Sequence, residues 1–143
     1  MAIRLNDKIT ASGQITPADV AAINADGFTT VITVRPDGEM PGQPTADEIR
    51  AATEEAGLTH HFMPMTPGVP PSVEDAKAFA AAMENGPVFA YCGAGPRVVL
   101  FASCAGAVSG RPIEELVSEA RDAGFDLSGA APLLETFAAQ AEG

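Results

Sequence analysis

Cysteine is scarce in this chain of 143 residues: there are two, Cys92 and Cys104. Two thiols cannot build a disulfide framework, and without a second pair they do not suggest zinc. Basic side chains are also scarce, 8 against 19 acidic ones, for a formal net charge of -11. Nucleic acid and anionic membranes are therefore poor partners, and any anion site must be built locally against the overall field. The two histidines, His60 and His61, are adjacent. In a strand they point to opposite faces, so no metal site is expected of them, and no cofactor is implied. No apolar run approaches the roughly 20 residues of a membrane span. The opening MAIRLNDKIT lacks the apolar stretch of a secretory leader, so the expected location is cytoplasmic.

Hydrophobic residues make up 46% of the sequence, enough for a packed core. The length suits a single domain over residues 1–143. Strands are expected at residues 3–5 and 9–11. Thr16-Pro17-Ala18-Asp19 combines a hydroxyl cap, a proline and a first-turn acid, and predicts a helix that ends near Gly27. The β-branched run from Phe28 to Val34 predicts a buried strand that turns at Arg35-Pro36-Asp37-Gly38. Thr45 and Glu48 have capping-box spacing and open a helix to about Ala56. Leu58 to Met63 reads as a strand. The prolines at 64, 67, 70 and 71 make the next segment a loop, and Ser72 caps a helix to about Glu84. Pro87 to Tyr91 predicts another buried strand, and Val98 to Val108 a helix apolar on every side. Pro112 and Pro132 mark two last helices, the first ending at Gly124.

Alternating strands and helices imply an α/β fold, a mostly parallel central sheet with helices on both faces. Ligands of such sheets bind beyond the carboxyl ends of the strands. Two of the six arginines stand at such ends, Arg35 and Arg97. Between the last buried strand and the apolar helix lies Cys92-Gly93-Ala94-Gly95-Pro96-Arg97. Small residues let the N–H groups of Gly93, Ala94 and Gly95 converge on an anion, and the helix dipole points to the same place. Arg97 adds a two-pronged donor. The same groups stabilise a thiolate on Cys92, the natural nucleophile. Arg35 is a second anion contact, or the partner of an acid within the turn that runs to Glu39. Asp37 is the candidate general acid, against the plainer reading of a solvated turn aspartate. Cys104, amid Phe101, Ala102 and Ala105, is expected in the core.

The segments SGQITPADVAAINADGFTTVITVRPDGEMPGQPTADEI, PVFAYCGAGPR and EARDAGFDLS, with the Pro-rich loop and helix between them, carry a resemblance over nearly the whole chain. The chain resembles the beta-lactamase hydrolase-like protein phosphatase-like domain family, whose members are also described as sulfurtransferases. The resemblance implies a dual-specificity-phosphatase-like fold with a Cys loop comparable to that of rhodaneses. It also implies a separate sulfur-metabolism enzyme as a partner. Family loops usually look like Cys-Arg-Ser-Gly-Thr-Arg-Ser. Here Gly93, Ala94, Pro96 and Val98 depart from that pattern, while Cys92, Gly95 and Arg97 keep it.

Four residues separate Cys92 from Arg97, one fewer than in cysteine phosphatases and the length typical of rhodanese-like loops. The Pro64–Ser72 loop, where phosphatases of this type carry an acid, has no Asp or Glu. Thiosulfate needs no acid, because sulfite leaves readily. On these grounds the expected activity is sulfur transfer through a persulfide on Cys92, with a small anionic substrate such as thiosulfate or a persulfide. The alternatives are a phosphatase-like hydrolase of phosphate esters using the same Cys and Arg, and a catalytically eroded module that binds an anion or a partner.

Overall fold

The structure, a computed structural model of the chain, describes residues 2–141. Its elements are β1 (Ala2–Asn6), β2 (Ile9–Ser12), α1 (Val20–Ala25), β3 (Thr30–Thr33), α2 (Ala46–Glu55), β4 (Thr59–Phe62), α3 (Val73–Glu84), β5 (Val88–Tyr91), α4 (Pro96–Val108), α5 (Ile113–Asp122) and α6 (Ala131–Ala138). The five strands form one sheet in the order β1-β2-β5-β3-β4. Only the β1–β2 pair, a hairpin at one edge, is antiparallel. The other three pairings are parallel.

Side-chain alternation along the central strands sends neighbouring residues to opposite layers. Val31, Phe89 and Tyr91 pack with Ile23 of α1 and Ile49 of α2. Ile32, Val88, Ala90 and Cys92 join a larger core with Phe79 of α3 and Val98 and Phe101 of α4. Helices therefore cover both faces, as the strand-helix rhythm predicts. The apolar helix expected after Val98 is α4, and ten of its residues are buried. It is enclosed by α3, α5, α6 and β2, which explains why no face of it is polar. A Cβ at Gly106 would stand 2.6 Å from Leu116 Cδ2, so glycine is what lets α5 close on α4.

Two local expectations need correction, and one turn was not anticipated. The helix predicted from Thr16 is split into a 3-10 turn over Pro17–Asp19 and then α1. Asp19 folds back to accept the Thr16 N–H at 2.8 Å, which tightens that first turn. The strand expected from Phe28 begins only at Thr30, because its neighbour β4 spans four residues. Phe28 instead meets Phe89 edge-on, with ring centroids 5.4 Å apart. A 3-10 turn at Ser128–Ala130, unmarked by any cap signal, leads into α6.

The loop from β3 to α2 carries two of the candidate residues, and its own bonds shape it. Gln43 donates to the Pro36 carbonyl at 2.9 Å, and the Ala46 N–H donates to Asp37 Oδ1 at 2.8 Å. Thr45 accepts the Glu48 N–H at 3.1 Å, the capping box read from the sequence. No helix among the described residues is long and apolar enough to cross a membrane.

Candidate active site

Cys92 follows β5 at the carboxyl edge of the central strands. Its N–H donates to the Ser12 carbonyl at 3.1 Å, while Val34 N–H donates to the Tyr91 carbonyl at 2.9 Å. The chain before the sulfur is thus held from both sides. Cys92 is fully buried. The Gly95 N–H donates to Cys92 Sγ at 3.0 Å. That bond needs the chain to double back over three residues. Gly95 supplies the reversal with φ +113, a backbone conformation that L side chains rarely adopt. Gly95 also caps α4: its carbonyl accepts the N–H of Val98 at 3.1 Å and of Val99 at 3.3 Å. The positive end of a 13-residue helix therefore opens beside the sulfur. Phe125, just after α5, packs its ring on this glycine, 3.6 Å from the point where a Cβ would stand.

Arg97 sits in the first turn of α4. Its Nη1 and Nη2 donate to Glu39 Oε2 and Oε1, each at 2.8 Å, and Nη1 also donates to the Met65 carbonyl at 2.9 Å. Arg35 reaches the same carboxylate: its Nε donates to Glu39 Oε1 at 2.9 Å, and its Nη1 donates to Gln14 Oε1 at 3.1 Å. These side chains are only 13%, 15% and 21% exposed for Arg35, Arg97 and Glu39. Arg97, and then Arg35, hold the Glu39 carboxyl below its usual range against the opposing effect of burial. Arg97 is held more firmly protonated, chiefly by Glu39, with Cys92 contributing.

The arginines meet over Gly93. A Cβ there would lie 3.1 Å from Arg97 Nη2 and 3.7 Å from Arg35 Nε. The residue that departs most from the family's loop thus leaves room for two guanidiniums. Ala94 is exposed at the tip of the loop. Val98 is buried in the core and offers no hydroxyl to the sulfur. Asp37 is exposed, with Oδ1 engaged by the α2 N-terminus. Cys104 lies in the second helical cluster with Ala76 and Leu134, its thiol pushed up to about 12 by burial.

The structure places Cys92, Gly93, Gly95, Arg97 and Arg35, all singled out from the sequence, in one cluster. Sequence reasoning offers an acid of the same turn as one of two readings of Arg35 but misses that Glu39 also spans to Arg97. It also misses Gln14, the Met65 carbonyl and Phe125. Only Glu39 carried a signal, an acid four residues after an arginine at a strand end.

Under the α2 layer a polar chain runs toward this cluster. Thr33 Oγ1 donates to Tyr91 Oη at 2.7 Å, and His60 Nε2 lies 2.9 Å from the same hydroxyl oxygen of Thr33. With Thr33 donating onward, His60 Nε2 carries the proton, and its Nδ1 is buried without a partner. Burial lowers the His60 pKa from 6.5 to about 4, with Arg50 and His61 adding to it. A depressed histidine means that the unfolded chain binds the proton first. Stability from this group is complete above pH 6.5 and is lost progressively toward pH 4. Wild-type melting temperature should therefore fall across that window, and His60→Gln should flatten the fall; equal slopes would show that His60 titrates normally.

A cysteine after a central parallel strand, beside the N-terminus of a helix with an arginine in its first turn, is the arrangement of the dual-specificity-phosphatase-like fold. Solved structures agree. A candidate phosphatase from Neisseria meningitidis shares 30% identity over 94% of this chain and 96% of that one, with a TM-score of 0.77. A kinase-associated phosphatase, solved with its catalytic-site cysteine replaced by serine, shares the fold at 13% identity and a TM-score of 0.76, covering 99% of this chain and 94% of its own. The chain belongs to the family described as beta-lactamase hydrolase-like protein, phosphatase-like domain, whose model matches residues 3–109. Curated beta-lactamase hydrolase-like proteins of Agrobacterium fabrum and Xylella fastidiosa are 36% and 33% identical over 94% and 96% of this chain. The chain spans 32% of the length of each of those relatives. These descriptions name phosphatases and hydrolase-like proteins, so the expectation of sulfur transfer gains no support from them and its phosphatase-like alternative does.

Proposed function

We propose that the chain is a cysteine-dependent hydrolase of phosphate monoesters. The observation that carries the proposal is the 3.0 Å bond from Gly95 N–H to Cys92 Sγ at the mouth of α4, which aims a backbone donor and the positive end of the helix at the place where an anion would bind. The N–H groups of Gly93 and Ala94, with Arg97 and Arg35, hold the phosphoryl oxygens. The Cys92 thiolate attacks phosphorus; an S–P bond forms, the ester P–O bond breaks, and the leaving oxygen departs with its electron pair. Water then attacks phosphorus, the S–P bond breaks, and phosphate, a proton and the thiolate are released.

Two of the large exposed apolar side chains, Met40 at 58% and Val69 at 56%, stand on the two loops that hold Arg97 through Glu39 and Met65. They favour an ester with an apolar body. An aryl leaving group departs without a proton, whereas an alkoxide needs a donor. Asp37 is the candidate donor, so Asp37→Asn should lose alkyl ester hydrolysis and keep aryl ester hydrolysis; an equal loss of both would remove it from that role.

The test is intact mass after a rapid quench with an aryl phosphate: a gain of one phosphoryl group on Cys92 supports the hydrolase. One observation favours sulfur transfer as a second reading, the four-residue loop without a hydroxyl at Val98. In that reaction the thiolate attacks the outer sulfur of thiosulfate, an S–S bond forms, and sulfite leaves. A gain of one sulfur with thiosulfate, and no phosphoryl gain, would replace the first reading with the second.

A further inference from the structure

We propose that this site takes phosphate monoesters whose only charge is the phosphoryl group being removed, and turns away esters that carry a second anionic group beside it. The inference deepens the hydrolase reading and rests on it.

Four segments wall the Cys92 loop. A Cβ at Gly13 would stand 3.2 Å from the Gly93 carbonyl oxygen, which places residues 13–16 on one side. Residues 35–45 bring Arg35 and Glu39, and residues 63–72 bring the Met65 carbonyl to Arg97. Phe125 brings residues 123–130 against Gly95. These segments and the Cys92 loop hold two cations, Arg35 and Arg97, and three acids, Asp37, Glu39 and Asp126. Both arginines share Glu39, which leaves one net positive charge for the phosphoryl group.

No other cation stands on the walls. Lys8 is paired with Glu84, and its carbonyl accepts the Val88 N–H at the opposite end of β5. Lys77 follows the acids Glu74 and Asp75 on α3, and Arg50 of α2 is bonded to Asp47. Seven of the twelve prolines lie in the two longer wall segments, 35–45 and 63–72. Each fixes its φ, so these walls keep their shape instead of folding in to fetch a distant cation.

A second phosphate or carboxylate close to the first would lose water here, meet Asp37 and Asp126, and gain no guanidinium or ammonium. Asp126 stays ionised, because bonds from Ser128 hold its carboxyl below the usual range. What the walls offer is apolar: Met40 and Val69, both more than half exposed, and the ring of Phe125. Bisphosphates, polyphosphates and acidic phosphopeptides are therefore excluded by charge, and an uncharged apolar body is accepted.

The test compares kcat/KM for three aryl phosphates that share one phenol core and differ in a para tail of equal length: propyl, propanamide and propanoate. The leaving phenol is nearly the same in all three, so the tail alone is read. The propyl ester should do at least as well as the amide. The amide should exceed the carboxylate about tenfold at low ionic strength, and salt should narrow that gap. Asp126→Asn, which keeps an acceptor for Ser128, and Val69→Lys, which adds an ammonium to the wall, should each narrow it about threefold. Glu55→Gln, at the far end of α2, should leave it unchanged and so separates the walls from the field of the whole acidic chain. Equal rates for amide and carboxylate in the wild type, a gap untouched by both wall variants, or one that Glu55→Gln narrows as much, overturns the inference and leaves the hydrolase standing. Absence of turnover with all three esters overturns the hydrolase reading, and this inference with it.

Discussion

We expect Cys92→Ser to lower aryl phosphate hydrolysis by at least about 10³-fold, the scale seen when a covalent nucleophile is removed. The sulfur does two things that a hydroxyl cannot. As a thiolate it attacks phosphorus, and it is a good leaving group when water resolves the intermediate. Serine fits the same space, between the Ser12 carbonyl and the Gly95 N–H, so folding should be intact. Cys104→Ala is the control: that thiol is buried in the helical layer and held protonated by its surroundings, so the variant should lose stability and keep turnover. Hydrolysis rates with melting curves for both variants decide the matter. If Cys92→Ser kept more than a tenth of the activity, chemistry would have to lie elsewhere. If Cys104→Ala were the inactive variant, the assignment of the two thiols would be reversed.

The site was legible in the sequence where its parts are close in the chain. Cys92, Gly95 and Arg97 lie within six residues between an apolar strand and an apolar helix, and both neighbours declare themselves by composition. The reading of the loop as an anion cradle, which the proposed function uses, comes from its small residues and from α4 beginning at Pro96. Glu39 and Arg97 are 58 positions apart, and nothing in the local pattern links them. Their meeting depends on β3 lying beside β5, which is set by the strand order rather than by either segment alone. The same holds for Phe125, whose contact with Gly95 exists only because α5 packs on α4. Arg35 is an intermediate case. Its bond to Glu39 is local and was anticipated as one of two readings; its proximity to the Cys92 loop comes from the sheet.

The fold divides the same way. Helix starts with a hydroxyl cap, at Thr45 and Ser72, fall where the caps place them, since one side-chain bond to a backbone N–H decides them. Strand lengths do not, because a strand ends where its partners end: β3 extends no further than the four residues it shares with β4 and β5. The antiparallel edge formed by β1 follows from the short turn at Asp7 and Lys8, where the Lys8 N–H donates to Asn6 Oδ1 at 2.8 Å.

The largest effect on stability should come from Phe101→Ala, at about 3–5 kcal/mol. Phe101 of α4 and Phe79 of α3 are among the largest fully buried side chains, and their rings stack with centroids 4.3 Å apart at 24°. Truncation removes the transfer energy of a benzyl group, the aromatic contact and the packing of a junction where α3, α4 and the sheet meet. A domain of this size has a total stability of about 5–15 kcal/mol, so the variant would stand near the threshold of folding. Phe137→Ala, in the outer cluster between α4 and α6, should cost less, because that layer can settle inward. The check is the midpoint of urea unfolding at unchanged slope. A shift worth less than about 1 kcal/mol would mean that α3 and the sheet relax into the cavity. The α3–α4 contact would then not be what holds α4, and with it Gly95 and Arg97, against the end of β5.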